Sequence, residues 1–298
     1  MGATLLINHP RWTWREWLRH ELGDTPLLIA DPSFSDYGWA GRISIYREGR
    51  VRGWRFVGAT DSAQAPLAVL AGTSRLLREM PENYFLLAPS GLTGPATREL
   101  IYSMAEMVEL DRCLIPSKSA YARWKWPWPT EAIEMEAQTP DYILRAHRRA
   151  KWVEMLDLGN LQEFDLADVV IQQARLGAGF KMDLSEWGGI GWAAGSVLHV
   201  VTDQDIDEYA AARLMDEAHA RRISLIHPSE YRGLLCSLAR SDGRDVGMGI
   251  VHSFDPQTQK LVLHTTAEEG SRANIVRLGL LKLDETGNEV GDLRPWTV

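Results

Sequence analysis

The chain has 298 residues, 45% of them hydrophobic and 24% charged, which is the composition of an ordinary globular protein with room for one large α/β domain and a smaller one. No run approaches the roughly 18 apolar residues of a membrane helix, and no basic n-region precedes an apolar core at the N-terminus, so neither a spanning helix nor a signal peptide is expected. A net charge of −8 argues against a broad duplex-gripping surface, and two cysteines, Cys113 and Cys236, without partners at zinc-ligand spacing fit a reducing, cytoplasmic setting.

In chain order, residues 3–7 (ATLLI) predict a short buried strand. Residues 11–22 (RWTWREWLRHEL) predict a helix, because Trp14, Trp17, Leu18 and Leu22 fall near i, i+3, i+4 and i+8; Gly23 ends it. Residues 26–30 (PLLIA) predict a second buried strand. A polar loop, DPSFSDYGWAG, then leads into an alternating hairpin, RISIYREGRVRGWRFV. Helices over 66–79 and 95–109 alternate with strands over 84–88 and 110–115. That alternation predicts a doubly wound, mostly parallel sheet, with Cys113 a buried structural thiol in its last strand.

Beyond residue 117 the pattern changes. YARWKWPWPTE is rich in Trp and Pro and reads as irregular. Residues 140–156 form a basic helix, in which Arg145, Arg148 and Arg149 share one face at i, i+3, i+4. Residues 159–221 are mixed, with GGIGW at 188–192 read as a loop and a helix near 205–221. Residues 232–298 carry short strands broken by DG, DP and GN turns, a small β-domain.

The order of these pieces resembles the polynucleotide 5′-hydroxyl kinases, the P-loop RNA and DNA kinases of pre-mRNA cleavage and ribosomal-RNA processing and their archaeal relatives. ADPSFSDYGWAGRISI resembles the acidic block after that family's second strand. RFVGATDSAQAPLAVLAGTSRLL and LLAPSGLTGPATREL resemble its next two blocks, and the RAHRRAKW helix resembles its arginine-rich lid. The resemblance implies a P-loop-kinase-like α/β fold over 1–158, with a basic helical lid at about 117–156. A connecting mixed segment over 159–231 and a β-rich C-terminal domain over 232–298 would follow.

Phosphoryl transfer requires a glycine nest for the phosphates, a lysine and oxygen ligands for Mg²⁺. At the position implied for the P-loop stands NHPRWTWREW, with neither glycine nor lysine, and the first lysine anywhere is Lys118. Asn8, Thr13 and Arg15 are what remains of a nucleotide site. Asp31 is a vestige of the family's acidic pair, its partner position being Ile29. The expectation is therefore a degenerate P-loop, no catalytic residue, no metal and no cofactor, with Arg145, Arg148 and Arg149 as the phosphate- or nucleic-acid-binding group. Trp12, Trp14 and Trp17 are expected to fill the vacated pocket rather than stack on bases.

Three functions follow from the resemblance. The first is a non-catalytic pseudo-kinase with a protein partner or a second copy of itself, serving RNA processing as a scaffold. The second is an active 5′-hydroxyl kinase using ATP and Mg²⁺ through Asp31, Arg15 and the lid arginines. The third is a nucleotide-independent binder of single-stranded nucleic acid, resting on the lid arginines and on Arg42, Arg47, Arg50, Arg52 and Arg55 of the hairpin; Trp124, Trp126 and Trp128 around Lys125 read as a stacking platform, a partner-docking loop or a collapsed lid packed on the core.

Overall fold

The computed structural model describes residues 2–9, 14–91, 94–135 and 139–293. It forms two compact units, Met1–Trp152 and Val153–Val298.

The first unit is built on one seven-stranded sheet. Its strands are β1 (Ala3–Leu6), β2 (Leu27–Ile29), β3 (Arg42–Arg47), β4 (Arg50–Phe56), β5 (Tyr84–Leu87), β6 (Leu110–Pro116) and β7 (Thr130–Ile133), in the spatial order β4-β3-β2-β5-β1-β6-β7. Strands β2, β5, β1, β6 and β7 are mutually parallel, and the β3–β4 hairpin adds antiparallel to β2. Helices α1 (Arg15–Glu21), α2 (Pro66–Leu77) and α3 (Pro95–Glu106) make the crossovers. The apolar runs LLI and YFLL are central strands because both faces of a covered parallel sheet are buried; Leu27, Leu28, Leu86 and Leu87 are fully enclosed.

Register decides where the strands end together. Leu6 pairs with Leu87 and Leu114, and Leu87 pairs with Ile29. The residues just after these positions, Asn8, Asp31 and Ser90 among them, therefore emerge at one edge of the sheet. In an open α/β sheet that carboxyl edge is where ligands bind. Gly41 takes φ 72° in the segment from β2 to β3, and its carbonyl accepts from the amides of Val57 and Gly58. A left-handed backbone of this kind suits glycine.

Helix α4 (Asp141–Asp157) is the basic helix expected from the sequence. In the second unit, β10 (Phe180–Leu184), β11 (Gly189–Ala194), β12 (Val197–Val201) and β13 (Arg222–Ile226) form a four-stranded sheet. Helix α5 (Glu208–Glu217) links the parallel pair β12–β13. The other sheet has the order β18-β17-β14-β15-β16-β8, with β9 added on β17. Its strands are β8 (Asn160–Asp165), β9 (Val170–Gln172), β14 (Leu234–Ala239), β15 (Asp245–Asp255), β16 (Lys260–Thr265), β17 (Ile275–Leu283) and β18 (Glu289–Asp292). All its pairings are antiparallel except β9–β17.

Two local readings need correction. GGIGW is not a loop: Gly189–Ala194 is a strand, and its glycines are close-approach positions. A Cβ at Gly191 would sit 2.7 Å from Leu184 Cδ1, and one at Gly189 would sit 2.8 Å from the Val201 carbonyl. The irregular Trp-Pro segment ends in β7, a short edge strand with Thr130, Glu131 and Ala132 exposed, too polar to stand out as a strand.

Candidate functional site

The carboxyl edge of the first unit's sheet holds the residues singled out in the sequence. Trp14 stands where the sequence resemblance implies a phosphate loop. It is fully buried among Leu6, Leu27, Ile29, Leu87 and Leu114. Its indole Nε1 donates to the Ile7 carbonyl at 3.1 Å, and its ring meets Trp17 edge-on at 5.2 Å. A phosphate cradle needs backbone N–H groups facing an open space; beside β1 that space holds an indole. Trp14 is thus core, as expected, and Trp17 packs on Phe85. Trp12 and Thr13 lie outside the described residues.

Asp31 is completely enclosed. Its carboxylate accepts from Asn8 Nδ2 at 2.6 Å, from the Ser33 amide and hydroxyl at 2.8 Å each, and from the Ser90 amide at 3.0 Å. Burial pushes its pKa up, against the pull of the Ser33 and Ser90 donors. Four donors use the lone pairs of both oxygens, so Asp31 and Asn8 work as a clasp joining the ends of β1, β2 and β5.

Arg15 turns toward α4. Its Nε pairs with Asp36 Oδ1 at 2.8 Å, and its Nη2 lies 3.0 Å from His147 Nε2 on α4. His147 Nδ1 lies 3.2 Å from the Ser35 hydroxyl and 3.7 Å from Asp36 Oδ1. Because a guanidinium only donates, Nε2 is the acceptor and Nδ1 carries the proton. Burial lowers the His147 pKa, with Asp36 opposing, so the ring is neutral near pH 7. Burial raises that of Asp36 against Arg15 and His147, yet a guanidinium at 2.8 Å keeps the carboxylate ionised at neutral pH. Ser35 with His147 is not a nucleophile–base pair, since the ring nitrogen facing the hydroxyl is the protonated one.

The sequence did not single out Asp36 or His147. They lie 21 and 132 residues from Arg15, and only the fold brings them together. Their one visible signal is their place inside the acidic block and the basic helix.

Among the described residues the strand ends line a small cavity. It has a volume of about 60 Å³, and Asn8, Ser33, Ser90, His147 and Arg148 are among the side chains that line it. Arg148 thus faces it, while Arg145 and Arg149 are exposed along α4. The tryptophans of the irregular segment are half-buried rather than laid open: Trp126 and Trp128 pack on Tyr102 of α3 at 6.2 and 5.3 Å. Arg98 stands 5.3 Å over Trp124. Among the described residues no group of three or more His, Cys, Asp or Glu side chains is arranged to hold a metal ion.

No protein-family model and no curated protein matches this chain. Its backbone does match solved structures. One is a chain from the wild-type Clp1p–Pcf11p complex, with a TM-score of 0.56 and 11% identity; the match covers 93% of this chain and 74% of that one. Another comes from a study of the extended Pcf11p–Clp1p interface and of ATP loss in a point mutant, with a TM-score of 0.53, 10% identity and the same coverage. This chain shares their fold. At such identity the likeness is one of architecture, a mixed α/β protein with a parallel-containing sheet, and activity does not follow from it. Among the described residues no helix is long and apolar enough to cross a membrane.

Proposed function

We propose that this chain is a non-catalytic protein of the polynucleotide-kinase fold that acts as a binding or scaffold subunit in RNA processing. One observation carries the reading: where a nucleotide would sit at the strand ends, the cavity is about 60 Å³. Pockets for ligands of that size run from roughly 300 Å³ upward. Trp14 occupies the place of the cradle, Asp31 is spent on Asn8, Ser33 and Ser90, and Arg15 is spent on Asp36 and His147. With no lysine before Lys118, no loop in the first 117 residues can supply the lysine of a phosphate loop.

A protein partner is part of the proposal, supported by the fold neighbours, which come from structures of Clp1p in complex with Pcf11p. A second reading, single-strand nucleic-acid binding without nucleotide, is favoured by exposed Arg145 and Arg149 on one face of α4.

Calorimetry with ATP or GTP and Mg²⁺ on the full chain tests the first reading. No heat of binding at millimolar nucleotide is expected. Micromolar binding, or transfer of the γ-phosphate to a 5′-hydroxyl oligonucleotide, overturns it. For the second reading, binding of single-stranded RNA should weaken steeply with salt and be lost in Arg145→Glu/Arg149→Glu. Binding that ignores salt rejects it.

A further inference from the structure

We propose that α4 is held over the strand ends by a proton-sensitive latch, in which neutral His147 bridges Arg15 and Ser35 and protonation of its ring releases the helix. The geometry supplies the switch. The Nε2 lone pair of His147 receives Arg15 Nη2 at 3.0 Å, while Nδ1–H reaches Ser35 Oγ at 3.2 Å. Both contacts need one tautomer of the neutral ring. A proton added at Nε2 points a second N–H at the guanidinium, so the Arg15 contact cannot survive in place.

The surroundings decide which way the balance tips. From α1, His147 is faced by Arg15, and Arg19 and Glu16 act on the same pair through Asp36. The segment after β2 contributes Asp36, the strand end contributes His9 across the cavity, and α4 itself contributes Arg148 and Lys151. Among the described residues Asp36 is the carboxylate that acts on the ring, at 3.7 Å, and its Oδ1 is already held by Arg15 at 2.8 Å. A protonated ring therefore competes with Arg15 for one oxygen among several cations. Burial adds to that cost and places protonation below the ordinary histidine range. The switch does not depend on whether the protein binds nucleotide.

Arg15 from α1 and Ser35 and Asp36 from the segment after β2 have the His147 ring of α4 as their common partner. Release would uncover the cavity wall formed by Asn8, Ser33 and Ser90.

Two measurements on the full chain test this. Long-range ¹H–¹⁵N correlation of the wild-type imidazoles should show His147 at about pH 7.5 as the Nδ1–H tautomer, and titrating below pH 6.5. Amide hydrogen exchange, corrected for the intrinsic pH dependence, should lose protection over residues 141–149 by about tenfold or more between about pH 7.5 and about pH 5. Helix α2 should hold its protection over the same range. His147→Gln offers Arg15 a carbonyl acceptor but does not titrate, so it should remove the pH dependence. An Nε2–H tautomer, unchanged protection of 141–149 in the wild type, or the same loss in His147→Gln overturns the latch.

Discussion

The side chain of Trp14 closes the strand end from which it departs: its indole N–H donates to the carbonyl of Ile7 at 3.1 Å. That contact and full burial make Trp14 a core residue at the position where a phosphate-binding loop would keep backbone amides open. Trp14→Ala should cost about 3–5 kcal/mol, since a large fully buried ring is removed and its enclosed neighbours cannot all follow. The drop in the urea midpoint at constant slope measures it. A loss below about 1 kcal/mol would mean that the ring is not packed as described.

The same residue separates space from chemistry. Trp14→Gly makes room at the strand end but supplies neither a lysine nor a row of inward-facing amides. Calorimetry of this variant with ATP and Mg²⁺ should give no binding at millimolar nucleotide. Gain of affinity would show that the indole alone blocks an otherwise working site.

Asp31 distinguishes a clasp from a catalytic remnant. Its carboxylate joins Asn8, Ser33 and Ser90, so Asp31→Ala leaves several enclosed donors without an acceptor and should cost about 3 kcal/mol. A residue kept for metal binding or for activating a hydroxyl would instead leave stability almost unchanged when removed. Chemical denaturation of wild type and variant decides between the two.

How far the sequence carries the architecture depends on the residue. The runs LLI and YFLL announced central parallel strands, because a strand covered on both faces has only apolar positions, and the alternating RISIYREGRVRGWRFV announced its hairpin. GGIGW misled, since glycines that let Leu184 and Val201 come close read, in one dimension, like glycines of a turn. Strand β7 was hidden by its polar edge residues. At the site, Asp31 and Arg15 were legible as positions but not as roles. What Asp31 does follows from where the Asn8 amide and the Ser90 backbone arrive, and that is fixed by the registers of β1, β2 and β5. The partners of Arg15 are set by the placing of α4, which no local pattern encodes.

In the second unit, Arg277 on β17 and Asp245 on β15 form a buried ion pair. Ser237 Oγ also donates to Asp245, at 2.6 Å, while Arg277 Nε donates to Gln172 Oε1 at 3.1 Å and so ties in β9. Arg277→Met should cost about 3–5 kcal/mol because it strands an enclosed carboxylate. Arg277→Met combined with Asp245→Leu should recover much of that loss, because an apolar pair leaves no uncompensated charge. A double variant no more stable than the single one would place the loss in shape rather than charge; denaturant midpoints of the two read it out.

His199 on β12 should make the protein acid-sensitive in a defined window. The side chain is 2% exposed; its Nε2 meets the Tyr231 hydroxyl at 3.0 Å, and its Nδ1 has no hydrogen-bond partner among the described residues. Burial, with Arg175 adding to it, pushes its pKa down to about 4. Above pH 6.5 the ring is neutral in both the folded and the unfolded chain and stability does not depend on it. As pH falls through 6.5 the unfolded chain takes up a proton that the folded chain refuses until about pH 4. Stability therefore declines across that interval, by about 3 kcal/mol at its end. His199→Gln keeps a group that can bond to Tyr231 but does not titrate. Urea midpoints measured between pH 7 and pH 4 should fall more steeply for wild type than for His199→Gln, and parallel slopes would mean that the ring is protonated in the fold or open to water.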